Sequence, residues 1–126
     1  MNDFTQLKEN TNDFAVSCML NYQRVYKLLV KELDKKEINE HALYGYHSMA
    51  YSSYKAMKTY YLLNDSLGHQ EFDDFFEKAG NFSREFTSSR ETKHSMQYTF
   101  FYYGELVQAY NRLANLLGAN PFDVPQ

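Results

Sequence analysis

No proline occurs before residue 121, and the two that are present, Pro121 and Pro125, lie at the end of the chain. Proline is the strongest helix breaker, because its ring removes a backbone donor and clashes with the preceding turn. Long helices are therefore permitted almost throughout the 126 residues. A chain of this length makes one domain, and we expect a domain at 1–118 with a short tail at 119–126.

Apolar residues recur every three or four positions in four runs, the spacing that aligns side chains on one face of a helix. The predicted helices begin and end near residues 4–33, 38–63, 72–86 and 93–117. The turn-forming segment Asn64–Gly68 separates the second helix from the third, and Gly118 ends the fourth. The sequence predicts an all-α fold, an antiparallel bundle of about four helices.

The boundary between the third and fourth helices is the least defined. Gly80 and Asn81 weaken the middle of the third helix, since both residues disfavour helix. Thr87, Ser88 and Ser89 either close the third helix or cap the fourth, where a hydroxyl accepts a hydrogen bond from a free backbone N–H group. In both alternatives Ser89 lies at a helix end.

The helical faces also predict which residues are buried. Cys18 lies on the apolar face of the first helix and is expected to act as a small hydrophobic core residue. The larger expected core residues are Phe14, Tyr22, Leu29, Ala50, Tyr54, Phe76, Tyr103 and Tyr110. A stripe of small residues on the second helix is predicted to pack tightly inside the bundle, with Gly104 opposite, and the alternative is a functional contact with another helix. This stripe consists of Gly45, Ser48, Ser52 and Ala56.

Aromatic residues are unusually abundant, with 12 Tyr, 10 Phe and no Trp, or 17% of the chain. One buried face per helix cannot hold them all, because successive residues are turned by about 100°. Some tyrosines can bury their rings and keep their hydroxyls in water. The alternative is a protein interface, where Tyr and Phe are enriched, formed with another protein or with a second copy in a homodimer. The predicted interface residues are Tyr44, Tyr51, Tyr98, Phe101 and Tyr102.

Charge and cysteine content restrict the class of protein. The net charge of −3 argues against a broad nucleic-acid-binding surface, which needs clustered Lys and Arg. A single cysteine excludes an intrachain disulfide and fits a reducing compartment. No signal-peptide pattern and no apolar stretch of the ~20 residues that a membrane span requires can be recognised. We expect a cytoplasmic protein that does not bind membranes.

Titratable residues provide no complete metal or catalytic motif. Glu91 and His94 form one Glu-x-x-His pair, whereas a di-iron bundle needs that pair twice. Glu37 and His41 are one helical turn apart, near the start of the second helix. Neither a Gly-rich phosphate loop nor a nucleophile motif occurs. We expect no metal and no cofactor.

One segment carries a family-like pattern: ALYGYHSMAYSSYKAMKTYYLLNDSLGHQEFDDFFEKAGNF, from Ala42 to Phe82. It contains an alanine- and tyrosine-rich helix at Tyr51–Leu63, a short Gly-containing turn at Leu67–Gly68, and a histidine that opens a Phe-lined helix at His69–Phe76. This arrangement resembles the central helical hairpin of the HEPN superfamily of small α-bundles. The resemblance covers about residues 42–94.

The HEPN resemblance implies a second function. Members include RNA-cleaving toxins, defence nucleases and non-catalytic partners of nucleotidyltransferases, and the nucleases share an Arg followed four to six residues later by His, usually in a dimer. Here Arg90 and His94 leave three residues between them, one fewer than that pattern. The Arg would stabilise a phosphorane and the His would move a proton. The alternative interpretation makes both residues solvent-exposed at a helix start and dispensable for folding.

Two functions are therefore expected from the sequence. The leading hypothesis is a non-enzymatic helical protein-protein interaction module, such as a regulator, immunity protein or accessory subunit of bacterial or mobile-element origin. It rests on surplus aromatic residues without a complete catalytic constellation. The other is a HEPN-type metal-independent ribonuclease or nuclease-toxin partner, with RNA as substrate and Arg90 and His94 as catalytic residues.

Overall fold

The fold consists of four α-helices. A computed structural model describes the backbone of residues 3–63, 69–93 and 95–123, and side chains from Thr11 onward in those ranges. The helices are α1 (Asp3–Leu33), α2 (Glu40–Leu62), α3 (Gln70–Thr92) and α4 (Gln97–Leu117). No strand occurs in these ranges, and the predicted all-α fold is confirmed. The predicted turn at Asn64–Gly68 lies outside the described residues.

The helices form two hairpins. α1 packs mainly against α2, and α3 packs mainly against α4, with far fewer contacts between α1 and α4 or between α2 and α3. The short connection between α1 and α2, residues 34–39, makes these two helices antiparallel neighbours. Because α2 and α3 touch so little, a groove remains open between them.

Local hydrogen bonds fix two of the helix ends. The side chain of Asn39 accepts a hydrogen bond of 3.0 Å from the backbone N–H of Ala42, so α2 begins two residues later than the apolar pattern predicts. At the end of α4, Gly118 adopts a left-handed conformation with φ of 75°, as predicted. The backbone N–H of Ala119 then donates to the carbonyl oxygen of Ala114 at 2.9 Å.

The end of α3 differs from the prediction. Ser89 neither closes α3 nor caps α4, because α3 continues to Thr92 and α4 begins only at Gln97. The hydroxyl of Ser89 donates to the carbonyl oxygen of Phe86 at 3.0 Å, a bond made within the helix. Lys93, in the left-handed conformation with φ of 57°, ends the helix instead. The last turn of α3 therefore includes Arg90.

The core is aromatic, and most of the predicted core residues are buried in it. Tyr26 of α1 stacks on Tyr103 of α4 with ring centroids 4.2 Å apart, which joins the two hairpins. Cys18 is buried, as predicted. The prediction for Phe14 is wrong, since 37% of this residue is exposed. The buried face of α1 passes instead through Ala15, one position and about 100° further round the helix.

The stripe of small residues on α2 does not pack inside the bundle. All four of its members are exposed, so the predicted close helix contact is wrong. A Cβ atom added at Gly45 or at Gly104 would meet no atom within 4 Å, so neither glycine permits a close approach of helices. The bundle packs α2 through a neighbouring buried stripe, which includes Leu43, Tyr54 and Met57.

The first part of the tail lies against α4. Asn111 donates from its side-chain amide to the carbonyl oxygen of Phe122 at 2.9 Å and accepts from the N–H of Phe122 at 2.8 Å. The Phe122 ring meets Tyr110 edge-on at 5.2 Å. Among the described helices, none has the length and apolar character needed to span a membrane.

Candidate functional site

A concave surface with convergent polar groups lies between α2 and α3. We call it the α2–α3 groove; its cavity has a volume of about 590 Å³. The residues that line it include His47, Tyr51 and Tyr54 from α2, and Ser83, Arg84 and Glu91 from α3. A smaller cavity of about 330 Å³ continues along the same two helices and shares Tyr54 and Arg84 with it.

A buried hydrogen-bond chain forms the floor of the groove. Tyr22 of α1, which is fully buried, lies with its hydroxyl 2.6 Å from Ser83 Oγ, and His47 Nε2 lies 3.1 Å from the same oxygen. Each of these hydroxyl groups can donate or accept, so two directions fit the distances. In one, Ser83 donates to His47 Nε2 and the imidazole proton is on Nδ1; in the other, His47 Nε2–H donates to Ser83.

The surroundings of His47 favour its neutral form. The imidazole stacks on Phe86 at 4.6 Å and on Tyr51 at 6.2 Å between ring centroids. Burial among these rings lowers the pKa of His47 below its usual range. A neutral His47 at pH 7 is the form that can accept the hydrogen bond from Ser83.

Tyrosines line the α2 side of the α2–α3 groove, and Arg84 lines the α3 side. Tyr51 stacks on Tyr54 at 5.5 Å, and Lys55 and Lys58 lie over the two rings at 5.6 and 5.7 Å. On the α3 side, Arg84 donates to the side chain of Asn81. Within the described part of the chain, no carboxylate pairs with Arg84.

Arg90 occupies a second cavity, of about 640 Å³, at the end of the bundle where α1, α2 and α3 meet. Its guanidinium forms ion pairs with Glu32 of α1 and, at 2.6 Å, with Glu40 of α2. Burial acts to lower the pKa of Arg90, but hydrogen bonds to Glu32, Tyr44 and Glu40 raise it overall.

These ion pairs change the interpretation of Arg90. Only 14% of its side chain is exposed, so the expectation of a solvent-exposed residue at a helix start is wrong. It lies in the last turn of α3 and joins three helices. His94 lies outside the described residues, and whether the two side chains converge stays a prediction. No group of three or more potential metal ligands occurs among the described residues.

The predicted interface residues fall on different surfaces. Tyr51 lines the α2–α3 groove, and Tyr44 lines the Arg90 cavity and meets Phe86 edge-on at 5.9 Å. The other three belong to α4, where Tyr98, Phe101 and Tyr102 line a shallow recess together with Gln97. Tyr98 is 55% exposed and Phe101 is 58% exposed.

The hydrogen-bonded residues of the groove floor were not identified from the sequence. His47 and Ser83 are 36 positions apart on different helices, and no local motif joins them. One signal was available: His47 falls in the apolar register of α2, with Ala50 and Tyr54. A polar ring in such a register needs a buried partner.

Comparison of the chain with protein-family models, with curated proteins and with solved structures finds no match. Function must therefore be argued from the arrangement of side chains. The HEPN resemblance stays a prediction.

Proposed function

We propose that this chain is a helical protein-protein interaction module that pairs with a second copy of itself through the aromatic face of α4. The observation that carries the proposal is the exposure of Tyr98 and Phe101, each more than half accessible. Aromatic residues exposed side by side are typical anchors at the centre of protein interfaces. A role as a regulator, immunity protein or accessory subunit is compatible with such a module.

The uncharged surface of the α4 recess suits a second copy as its occupant. Two copies with a net charge of −3 each repel one another, and this repulsion is smallest where the contact surface carries no charge. The α4 recess is such a surface, since Gln97, Tyr98, Phe101 and Tyr102 are all uncharged. A two-fold interface brings the same patch together from both chains, which here places aromatic rings against aromatic rings.

The double substitution Tyr98→Ala and Phe101→Ala should abolish the dimer without unfolding the chain, because both side chains lie mostly outside the core. Light scattering over a concentration series should give twice the 14.9 kDa chain mass for the wild type and 14.9 kDa for the variant. The matched control is Leu62→Ala, since Leu62 is 59% exposed at the end of α2 and far from the proposed interface in sequence. Circular dichroism should show the same helix content for all three proteins.

Two results would contradict the dimer. One is a wild type that keeps the mass of a single chain up to about 100 μM, well above the micromolar range of ordinary complexes. The other is a folded double variant that still dimerises. If Leu62→Ala dissociated to the same extent as the double variant, the loss of the dimer would not be specific to the α4 face.

The ribonuclease alternative is tested separately. We expect the purified protein to leave single-stranded RNA intact in the absence of metal, because the Arg90 guanidinium already pairs with two carboxylates of its own chain. Gel analysis of a labelled RNA checks this result. Metal-independent cleavage that is lost in His94→Ala, at an unchanged thermal midpoint, would replace the interaction module by the enzyme.

A further inference from the structure

We propose that the α2–α3 groove binds a small planar aromatic ring carrying one anionic group, the chemistry shared by aryl phosphates and nucleoside monophosphates. This site lies on α2 and α3 and is independent of the α4 face proposed for dimerisation. Four features of the groove carry the inference: its size, its aromatic wall, an arginine without a carboxylate partner and an imidazole nitrogen without a hydrogen bond.

The size of the groove suits a small molecule. Its volume of about 590 Å³ falls within the usual range of roughly 300–1,000 Å³ for ligand pockets. Gly80 of α3 keeps the middle of the groove open, because a Cβ at this position would already lie 3.6 Å from the Tyr54 hydroxyl. A longer side chain at residue 80 would occupy the space between α2 and α3.

The wall on the α2 side provides stacking surfaces. His47, Tyr51 and Tyr54 follow one another along α2 in consecutive stacked pairs, at 6.2 Å and 5.5 Å between ring centroids. Tyr51 is 41% exposed although it belongs to this series, so part of its ring faces solvent. The part of this wall that faces solvent offers aromatic surface on which a planar ligand can pack edge-on or in an offset stack.

Arg84 provides the charge for the anionic group. α3 is rich in acidic residues, yet the helical neighbours of Arg84 are Gly80, Asn81, Thr87 and Ser88, none of which is acidic. Its guanidinium is therefore left without a carboxylate partner in the described structure, in contrast to Arg90. A guanidinium without a carboxylate partner at a cleft favours an anion with two adjacent oxygens, such as a phosphate, which it binds through two parallel hydrogen bonds.

His47 adds a polar ring nitrogen for the ligand. Its Nε2 contacts Ser83, whereas its Nδ1 makes no hydrogen bond to any described residue and can bond to a ligand. Glu91 also lines the groove, on α3 two helical turns beyond Arg84. Its carboxylate disfavours a second anionic group at that end, which limits the ligand to one.

Phenyl phosphate is the probe, measured by isothermal titration calorimetry. The wild type should bind it with a Kd of about 1 mM or tighter, and Arg84→Gln should weaken binding by about tenfold or more. Tyr51→Ala should also weaken it, through the lost stacking surface. Arg112→Gln, an exposed arginine of α4, is the matched control and should bind like the wild type. Inorganic phosphate alone and phenol alone should each bind at least about tenfold more weakly than phenyl phosphate.

Several outcomes would overturn the site. One is that phenyl phosphate does not bind to the wild type at concentrations up to about 20 mM. Another is that a folded Arg84→Gln variant binds phenyl phosphate as tightly as the wild type. The third is that inorganic phosphate binds as tightly as phenyl phosphate, which would leave no role for the ring. The variant that carries Tyr98→Ala and Phe101→Ala should bind phenyl phosphate like the wild type, so failure of the dimer and failure of this site are distinguishable. Adenosine monophosphate in place of phenyl phosphate then tells whether the groove also accepts a nucleoside.

Discussion

Replacing Arg90 with alanine should lower the free energy of unfolding by about 2 kcal/mol. An exposed ion pair contributes roughly 0–1 kcal/mol, whereas breaking a buried one costs about 3–5 kcal/mol. Arg90 lies between these limits, since 14% of its side chain is exposed and its partners Glu32 and Glu40 are 30% and 53% exposed. Its loss also removes the only described ion pairs that join α1, α2 and α3 at this end of the bundle.

Urea unfolding of the variants measures this effect. Arg112→Ala is the control, because Arg112 is exposed on α4 and should change the stability by less than about 0.5 kcal/mol. Double-mutant cycles should give a larger coupling of Arg90 with Glu32 than with Glu40, since Glu32 is the less exposed carboxylate. Equal stability of Arg90→Ala and Arg112→Ala would contradict the structural role assigned to Arg90.

Replacing Ser83 with alanine should cost about 2 kcal/mol, more than one hydrogen bond is normally worth. The variant leaves the hydroxyl of the fully buried Tyr22 and the Nε2 atom of His47 without their hydrogen-bond partner. Tyr22→Phe alone should cost less, because Ser83 and His47 still bond to each other. In the double variant the orphaned hydroxyl is gone, so the combined loss should be smaller than the sum of the two.

The burial of His47 also makes the stability depend on pH. Burial lowers the pKa of His47 in the folded state below the unfolded value of about 6.5, so the unfolded chain binds the proton first. Stability should therefore be complete above about pH 6.5 and fall as the pH decreases towards the folded pKa. Unfolding curves between pH 7.5 and 5.5 in the wild type and in His47→Gln measure this, and the variant should lose most of the slope. An unchanged dependence of stability on pH in His47→Gln would contradict this role of His47. For the hydrogen-bond chain, the contradicting result is that the losses of Ser83→Ala and Tyr22→Phe simply add in the double variant.

The fold could be predicted because its determinants are local. The absence of early proline and the recurrence of apolar residues identify four helices without knowledge of their packing. The predictions were wrong where the local sequence allows a residue two different hydrogen bonds or two different degrees of burial. Ser89 has a hydroxyl that can cap the next helix or bond back within its own, and only the packing of α3 selects the second. Phe14 lies beside the buried stripe of α1, and a rotation of about 100° decides its exposure.

The candidate sites were less predictable because their residues come from separate helices. Arg90 meets Glu32 and Glu40, which are 58 and 50 positions away, so its environment depends on how both hairpins dock. His47 and Ser83 are likewise brought together only by the fold. The abundance of aromatic residues correctly indicated that some remain exposed, as Tyr98 and Phe101 do, but it gave no information about the α2–α3 groove.

The hairpin arrangement also bears on how fast the chain folds. Most contacts join helices that follow one another in sequence, and proteins with such local contacts fold in microseconds to milliseconds. Each hairpin can form before the two dock, with Tyr26 and Tyr103 meeting late. Substitutions at the docking surface would then mainly accelerate unfolding, whereas substitutions between α1 and α2 would slow folding. The lifetime of the native state would depend on the contacts between hairpins, the same contacts that hold the α2–α3 groove in shape.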